Sequence, residues 1–490
     1  MGKAIRIDTE QIFSLHPYVE EVLARLTAAG HQAFLIGGVV RDGVRAKFQP
    51  DYDFSPEEVD VATAASPPEV RALFKDRPIV GVGEDFGVLV IVSPCGRQYE
   101  VATFRVEGEY DGRWPSKVKL VRDLEGDVKR RDLTINGLAA PRSGEVIDLV
   151  GGIEDLRAGL IRAIGDPKMR FSEDYLRMLR TVRFACQLDG EIEPETAAAI
   201  RENAAKITSI SWERICEELF RLFGTSSAAR GITLIDDYGL LSHVLPEVTG
   251  LKGVPQPEEY HPEGDVFVHT IKAVQVADEF VHDPVLKLAV LLHDIGKPFA
   301  LRRSGGRNMG GHAAVGARMA KKIARRLRLS KQQASRLYFL VNEHMRVADL
   351  PKMGRGKQVR FVSSGEIQGE ITFRKRFPLF FDLLQLLICD CEASAHRSSG
   401  WAPILRETLR IIDHIDRVCG LKRARELING HTLLEMGVKP GPELGQILGA
   451  VHDRILAGEI TTRKAAAAAA KELVSNLREQ RGNNGQATAL

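Results

Sequence analysis

At 490 residues the chain is too long for one ordinary domain, and a prior of roughly 150 residues per domain points to three or four. Its 68 Lys+Arg against 65 Asp+Glu leave a formal charge of +3, which excludes a uniformly basic nucleic-acid binder and assigns any such affinity to local patches. No apolar run approaches the roughly 18 residues that span a bilayer, no secretory leader layout opens the chain, and six scattered cysteines lack paired CxxC units, so a soluble cytoplasmic protein in a reducing compartment is expected.

Residues 9–29 carry helical periodicity through Ile12, Phe13, Leu15, Val19, Val22, Leu23 and Leu26, with Gly30 as the stop. Short strand-like runs follow at 33–36, 59–62, 88–92, 99–104 and 146–149, alternating with helical stretches, so the first third reads as an α/β layer. Residues 171–224 turn helical, with Leu176, Leu179, Val182, Phe184 and Ala185 on one face and arginines spaced three apart on another. Beyond 225 nearly everything is helical, interrupted by Pro/Gly-rich loops at 253–257 and 439–442. The expected class is α+β, with a mixed sheet and its helices followed by an all-helical remainder.

Within the first third, a strand leading into Gly37-Gly38 and a helix lets backbone N–H groups approach phosphate closely, because glycine has no side chain to hold it off. Further along, Lys129-Arg130-Arg131-Asp132-Leu133-Thr134-Ile135-Asn136-Gly137 sets two arginines, an acid and an amide where a buried strand meets a helix. Arg130 and Arg131 can fork onto phosphate oxygens, while Asp132 and Asn136 can hold ribose hydroxyls or orient those arginines. Two carboxylates at i and i+2 on one strand face can hold the pair of divalent cations that phosphoryl transfer uses. The sequence offers Asp51 with Asp53, and Glu58 with Asp60.

Read in order, Leu35-Ile36-Gly37-Gly38-Val39-Val40-Arg41-Asp42, the 129–137 motif and Glu173-Asp174-Tyr175-Leu176-Arg177-Met178-Leu179-Arg180-Thr181-Val182-Arg183-Phe184 resemble the class II tRNA nucleotidyltransferase and bacterial poly(A) polymerase family. The likeness runs from about 30 to 220 and takes in Glu100-Val101-Ala102-Thr103-Phe104-Arg105 and Val146-Ile147-Asp148-Leu149-Val150-Gly151-Gly152. It implies a nucleotidyltransferase head over 1–160, a helical neck and RNA-binding region over 161–250, an HD domain over 251–400 and a helical C-terminal region over 401–490. Arg41 and Asp42 match the family's positions after the glycine pair.

Asp51 and Asp53 stand at the family's usual distance after Arg41, whereas Glu58-Val59-Asp60-Val61-Ala62-Thr63 carries the family's continuation into the next helix. The second pair is favoured, because it places an insertion of about seven residues in a loop rather than beside the catalytic strand. It departs from the family's usual first Asp, and Asp51 with Asp53 stays the rival. Glu100 is the third carboxylate that the resemblance implies, with Mg²⁺ as the head's metal.

By the same resemblance Asp174 and Arg177, one helical turn apart, pair with the cytosine or adenine edge, while Arg180 and Arg183 continue the stripe towards phosphate. The turn-rich segment 108–115 resembles the family's flexible loop, associated with the switch to ATP. Downstream, His269, His293-Asp294 and Asp390 follow the H…HD…D order of the HD phosphohydrolases, and His312 and His344 add two further nitrogen donors. This mixed N/O set suits a divalent transition metal or Mg²⁺ and hydrolysis of a phosphomonoester or cyclic phosphate at an RNA end.

The implied function is a CCA-adding enzyme that transfers CMP and AMP from CTP and ATP to a tRNA 3′ end. The alternatives are an A-adding or CC-adding specialist, a poly(A) polymerase, or an HD phosphohydrolase whose inactive head binds RNA. Basic stretches at 321–328 and 374–376 are the candidate RNA contacts.

Overall fold

The computed structural model describes residues 5–81, 86–107, 110–111, 114–115, 118–259, 261–262, 264–394, 400–418 and 420–486, and divides the chain into two compact units, Met1–Thr249 and Gly250–Leu490. Gly108, Glu109, Gly112 and Arg113 of the loop expected over 108–115 lie outside the described residues.

A seven-stranded sheet organises the first unit, in the order Ile147–Asp148, Leu138–Ala140, Ala33–Ile36, Asp60–Thr63, Gln98–Thr103, Val88–Val92, Ile79–Val80. Only Asp60–Thr63 and Gln98–Thr103 run parallel; every other pair is antiparallel. Strand pleating sends alternate residues to opposite faces. Leu35, Val61 and Val101 are in register and join a core with Val22, Leu26, Leu89 and Ile91. Ile36, Ala62 and Phe104 turn to a second cluster with Leu124, Val128 and Ala139. The strands expected at 33–36 and 88–92 have those bounds, and those expected at 59–62, 99–104 and 146–149 differ by one residue at each end.

The helix expected over 9–29 is two helices, Thr9–Leu15 and Pro17–Ala28. Pro17 lacks the N–H that a continuous helix would use, so the chain breaks at His16 and restarts with Pro17 in the first turn, where no such bond is needed.

The short turn Thr134–Asn136 rests on the start of helix Gly152–Ala158. A Cβ built on Gly152 would lie 2.2 Å from the Thr134 carbonyl oxygen, so only glycine permits this approach. Gly152→Ala is therefore expected to destabilise the first unit by about 2–4 kcal/mol, read as a lower urea midpoint, because the obstructing atom is backbone and cannot rotate away.

Helices Pro167–Glu173, Leu176–Gln187, Pro194–Asn203 and Trp212–Phe223 complete the periodicity read over 171–224. The second unit is helical, built around Val266–Phe280, Pro284–Leu292, His312–Arg326, Lys331–Glu343 and Pro378–Ala393, and continues through helices to Gln486. Lys287 is fully buried and donates to Asp278 at 2.6 Å, a paired charge inside this helical core. No described helix is long and apolar enough to cross a membrane.

Candidate functional site

The end of strand Asp60–Thr63 forms the acidic wall of a cleft in the first unit. Since Val61 pairs with Val101 in a parallel ladder, Asp60 at the start of its strand stands beside Glu100 within the next and on the same face. Solvent reaches the edge of Asp60, yet surrounding protein desolvates its carboxyl. That desolvation, then the charge of Glu100, pushes its pKa up to about 6 against the pull of Arg131, and Glu58 adds to the rise. Glu58 and Asp60 line two adjoining cavities, of about 770 Å³ with Glu100 and about 860 Å³ with Gly37, Gly38, Arg41, Asp42, Arg131, Asp132, Asn136, Arg180 and Arg183. Asp51 and Asp53 are exposed and line neither.

Opposite the acids, Gly37 takes φ = +73° and caps the helix Gly38–Phe48 with no side chain in the way. Arg41 is buried; it grips Asp42 through Nε and Nη2 at 2.8 and 2.9 Å and donates through Nη1 to Asn136 Oδ1 at 2.9 Å. Asn136 in turn donates to Asp132 at 3.3 Å. Asp132 accepts from Arg180 Nε at 2.8 Å, and although burial alone would raise its carboxyl, Arg180 and Arg177 hold it well below the ordinary range.

A residue not singled out from sequence organises the two adjacent arginines. Asp127 is fully buried and accepts from Arg130 Nε and Nη2 at 2.9 and 2.6 Å on one oxygen, and from Arg131 Nε and Nη2 at 3.2 and 3.0 Å on the other. Its spacing three and four residues before the arginines on a helix was the available signal.

Asp174, Arg177, Arg130, Arg131, Asp132 and Arg180 line a further cavity of about 360 Å³. Asp174 and Arg177 do not face each other as free groups, however. Arg214, also missed from sequence, donates to both Asp174 oxygens at 3.1 and 2.6 Å, while Arg177 binds Glu173 and the Arg130 carbonyl. Arg183 lies over the Phe184 ring at 4.0 Å and donates to Glu218 at 2.7 Å, so it reaches the cleft from a buried pair rather than as the end of an open stripe.

In the second unit, six predicted ligands converge: His269, His312 and Asp390 from three helices, His293 and Asp294 from the turn after helix Pro284–Leu292, and His344 from the end of helix Lys331–Glu343. His269 Nε2 is 3.2 Å from Asp390 Oδ1 and 3.9 Å from Asp294 Oδ2; His293 Nε2 is 3.1 Å from Asp294 Oδ2; His312 and His344 Nε2 are 3.2 and 3.8 Å from Asp294 Oδ1. Asp294 thus lies between two groups, His269-His293 and His312-His344, each able to hold a divalent ion with it.

Carbonyls accept only, so Nδ1 of His293, His312 and His344, at 2.7, 3.0 and 2.8 Å from the oxygens of Val290, Met309 and Val341, carries the proton, and each Nε2 presents a lone pair inward. The Nε2 atoms of His312 and His344 then meet 3.1 Å apart as two acceptors, and His293 Nε2 is buried with no hydrogen-bond partner. A divalent ion would resolve both, since neighbouring ligands at roughly 2.1 Å from a metal stand about 3 Å apart.

Burial pushes the His344 imidazole down to about 3, keeping it neutral. Lys297 Nζ lies 2.6 Å from both Asp294 and Gln256. Gly296 allows the helix start at His312 to close in: a Cβ there would stand 2.1 Å from the His312 carbonyl oxygen. Asp283, in the other His-Asp pair of this region, caps helix Pro284–Leu292 and accepts from Arg336.

Four family models match in succession: the poly A polymerase head domain over 33–162, a probable RNA and SrmB-binding site of polymerase A over 191–251, an HD domain over 266–377 and a putative tRNA nucleotidyltransferase domain 2 over 402–470. Among curated proteins, the CCA-adding enzyme of Bacillus licheniformis is 42% identical over 232 residues, 47% of this chain and 56% of that one. That of Enterococcus faecalis is 47% identical over 202 residues, 41% of this chain and 47% of that one. The chain therefore spans about half the length of the curated relatives it matches.

The crystal structure of the Bacillus stearothermophilus CCA-adding enzyme in complex with CTP superposes with a TM-score of 0.64 at 26% identity, covering 95% of this chain and 98% of that one. The Thermotoga maritima CCA-adding enzyme complexed with tRNA shares the fold at a TM-score of 0.57 and 16% identity, over 97% of this chain and 100% of that one. With four domain models matched in succession from head to tail, the chain carries a poly A polymerase head domain and an HD domain and is similar in fold to CCA-adding enzymes over nearly its whole length.

Proposed function

We propose that the first unit is a CCA-adding nucleotidyltransferase, transferring CMP and AMP from CTP and ATP to a tRNA 3′ end in the cytoplasm. The observation that carries this reading is the placing of Glu58 and Asp60 in the cleft that holds Gly37, Arg41, Arg131 and Asn136, with Glu100 beside Asp60 in the adjoining cavity. In it the RNA 3′-hydroxyl attacks the α-phosphorus, the bond to the bridging oxygen breaks, and pyrophosphate leaves. Arg130 and Arg131, oriented by Asp127, receive the triphosphate, and Arg41, fixed by Asp42 and Asn136, closes the cradle beside the Gly37-Gly38 backbone. Mg²⁺ held by the carboxylates would neutralise the triphosphate and lower the charge barrier to attack. Asp174 and Arg177 read the cytosine or adenine edge once substrate displaces Arg214 and Glu173 from them. Exposed basic groups at Lys321, Lys322, Arg325, Arg374 and Lys375 serve the RNA backbone.

The purified protein, given Mg²⁺ and a tRNA lacking its CCA end, should add three nucleotides and stop when CTP and ATP are both present, and two with CTP alone. Arrest at two despite ATP would instead identify a CC-adding specialist, a long ladder with ATP a poly(A) polymerase, and no extension would remove the transferase reading.

A second activity is favoured by the buried His/Asp cluster: hydrolysis of a phosphomonoester or cyclic phosphate at an RNA end. Lys297 stands ready to balance the substrate's charge beside Asp294, and a transition metal suits the nitrogen-rich ligand set.

A further inference from the structure

On helix Trp212–Phe223, Arg214, Glu218 and Arg221 stand at i, i+4 and i+7, on one face, and all three line the cavity of about 360 Å³. Two of them are engaged within the fold. Arg214 holds both oxygens of Asp174, and the buried Glu218 accepts from Arg183 at 2.7 Å. The third reaches outward: the Arg221 side chain is 62% exposed and lies 3.7 Å from Glu218. That carboxylate also faces Arg180 at 3.5 Å. Arg180 is answered by Asp132 and Arg183 by Glu218, so the positive charge left over in this cluster is that of Arg221.

Arg221 also stands where the spaces of the cleft meet. Among the described residues it alone lines all three cavities, the one of about 360 Å³ with Asp174 and Arg177, the one of about 860 Å³ with Gly37 and Arg131, and the one of about 770 Å³ with Glu100. The last shares Glu58 and Asp60 with its neighbour but holds neither the glycine pair nor the two adjacent arginines. Its other arginine, Arg97, lines neither of the other cavities and donates to the Leu15 carbonyl at 2.6 Å.

On the reading of the first unit as a nucleotidyltransferase, on which this inference rests, the attacking and leaving oxygens lie in line through the α-phosphorus. Pyrophosphate leaves within the cradle of glycines and arginines, so the RNA 3′-hydroxyl enters from the other side of the shared acids. The cavity of about 770 Å³ lies there, with room for a nucleotide. We infer that Arg221 binds the phosphodiester immediately 5′ of the RNA's terminal nucleotide and so holds the 3′-hydroxyl towards the carboxylates. A guanidinium forks onto two phosphate oxygens and stays charged at every working pH, and this one is available without breaking a buried pair.

The test pairs Arg221→Ala with a tRNA lacking CCA whose last phosphodiester is a methylphosphonate, which keeps the shape and removes the charge. Fluorescence anisotropy in EDTA reads binding to the full-length protein, and extension in Mg²⁺ reads addition. The parent should bind the methylphosphonate RNA about tenfold more weakly than ordinary RNA. Arg221→Ala should bind ordinary RNA about tenfold more weakly and lose nothing further on the methylphosphonate. Its KM for CTP and ATP should stay within about twofold, the slope of log affinity against log salt should fall by about 0.7, and Arg221→Lys should recover part of the loss. Additive losses from variant and methylphosphonate, or an unchanged affinity, would overturn the assignment, and a raised KM for nucleotides alone would give the guanidinium to the triphosphate instead. A parent that binds this RNA but never extends it would count against the transferase reading, while the binding cycle still decides the contact.

Discussion

Asp60→Asn is expected to lower nucleotide addition by at least about 10³-fold, while Asp51→Asn and Asp53→Asn each leave it within about twofold of the parent. Asp60 opens the strand that pairs in parallel with the one bearing Glu100, so the two carboxylates are fixed by the sheet rather than by a loop. The upward shift of Asp60 is the electrostatic sign of this crowding: desolvation and then the Glu100 charge disfavour the ionised form, which a bound cation would restore. Asparagine keeps the shape and removes the charge.

Asp51 and Asp53 lie before this strand, exposed and outside the cleft, so their neutralisation removes nothing the reaction uses. Glu58→Gln should cost about 10–100-fold, and Glu58→Asp should lose less, since a carboxylate is kept at the position where the family carries Asp. Single-turnover extension of a tRNA lacking CCA, with urea midpoints confirming that each variant folds, measures all of these. A loss in Asp53→Asn equal to that in Asp60→Asn would transfer the metal site to the rival pair.

Much of this was legible in the sequence because it is written in local pattern. Strands 33–36 and 88–92 are short β-branched and aliphatic runs whose bounds are set by turn residues, and the six HD-site groups announce themselves by residue type. What local pattern does not hold is the identity of a partner far along the chain. Arg214 sits 40 residues after Asp174 and Glu218 35 after Arg183, so only the packing of helix Trp212–Phe223 against Leu176–Gln187 reveals these pairs. Asp127 was hidden for a different reason: as an acid in an exposed-looking helical turn it reads as a dipole complement, and its full burial becomes visible only once the sheet covers it. The break at His16 was missed because apolar periodicity continued across Pro17, although a proline inside the pattern carried the signal.

Asp294→Asn should abolish hydrolysis of RNA-end phosphates by at least about 10²–10³-fold, and with it tight binding of one equivalent or more of divalent metal, while CCA addition stays within about twofold. Asp294 touches both histidine groups, through Oδ2 towards His269 and His293 and through Oδ1 towards His312 and His344. Asparagine offers one oxygen and one NH₂, so one group loses its carboxylate ligand and gains a donor pointed at a would-be cation. Lys297 compounds the effect, because its ammonium, 2.6 Å from Asp294, would face a neutral amide in a buried site.

His344→Ala should be milder, removing one nitrogen from the His312 side and leaving His269, His293, Asp294 and Asp390 able to hold an ion. Metal content by mass spectrometry, followed by phosphatase and extension assays on the same samples, separates the outcomes. Retention of full metal content by Asp294→Asn would mean that the cluster is a buried polar network rather than a metal centre. Loss of metal together with loss of CCA addition would mean that the second unit's fold, not its chemistry, depends on the ion.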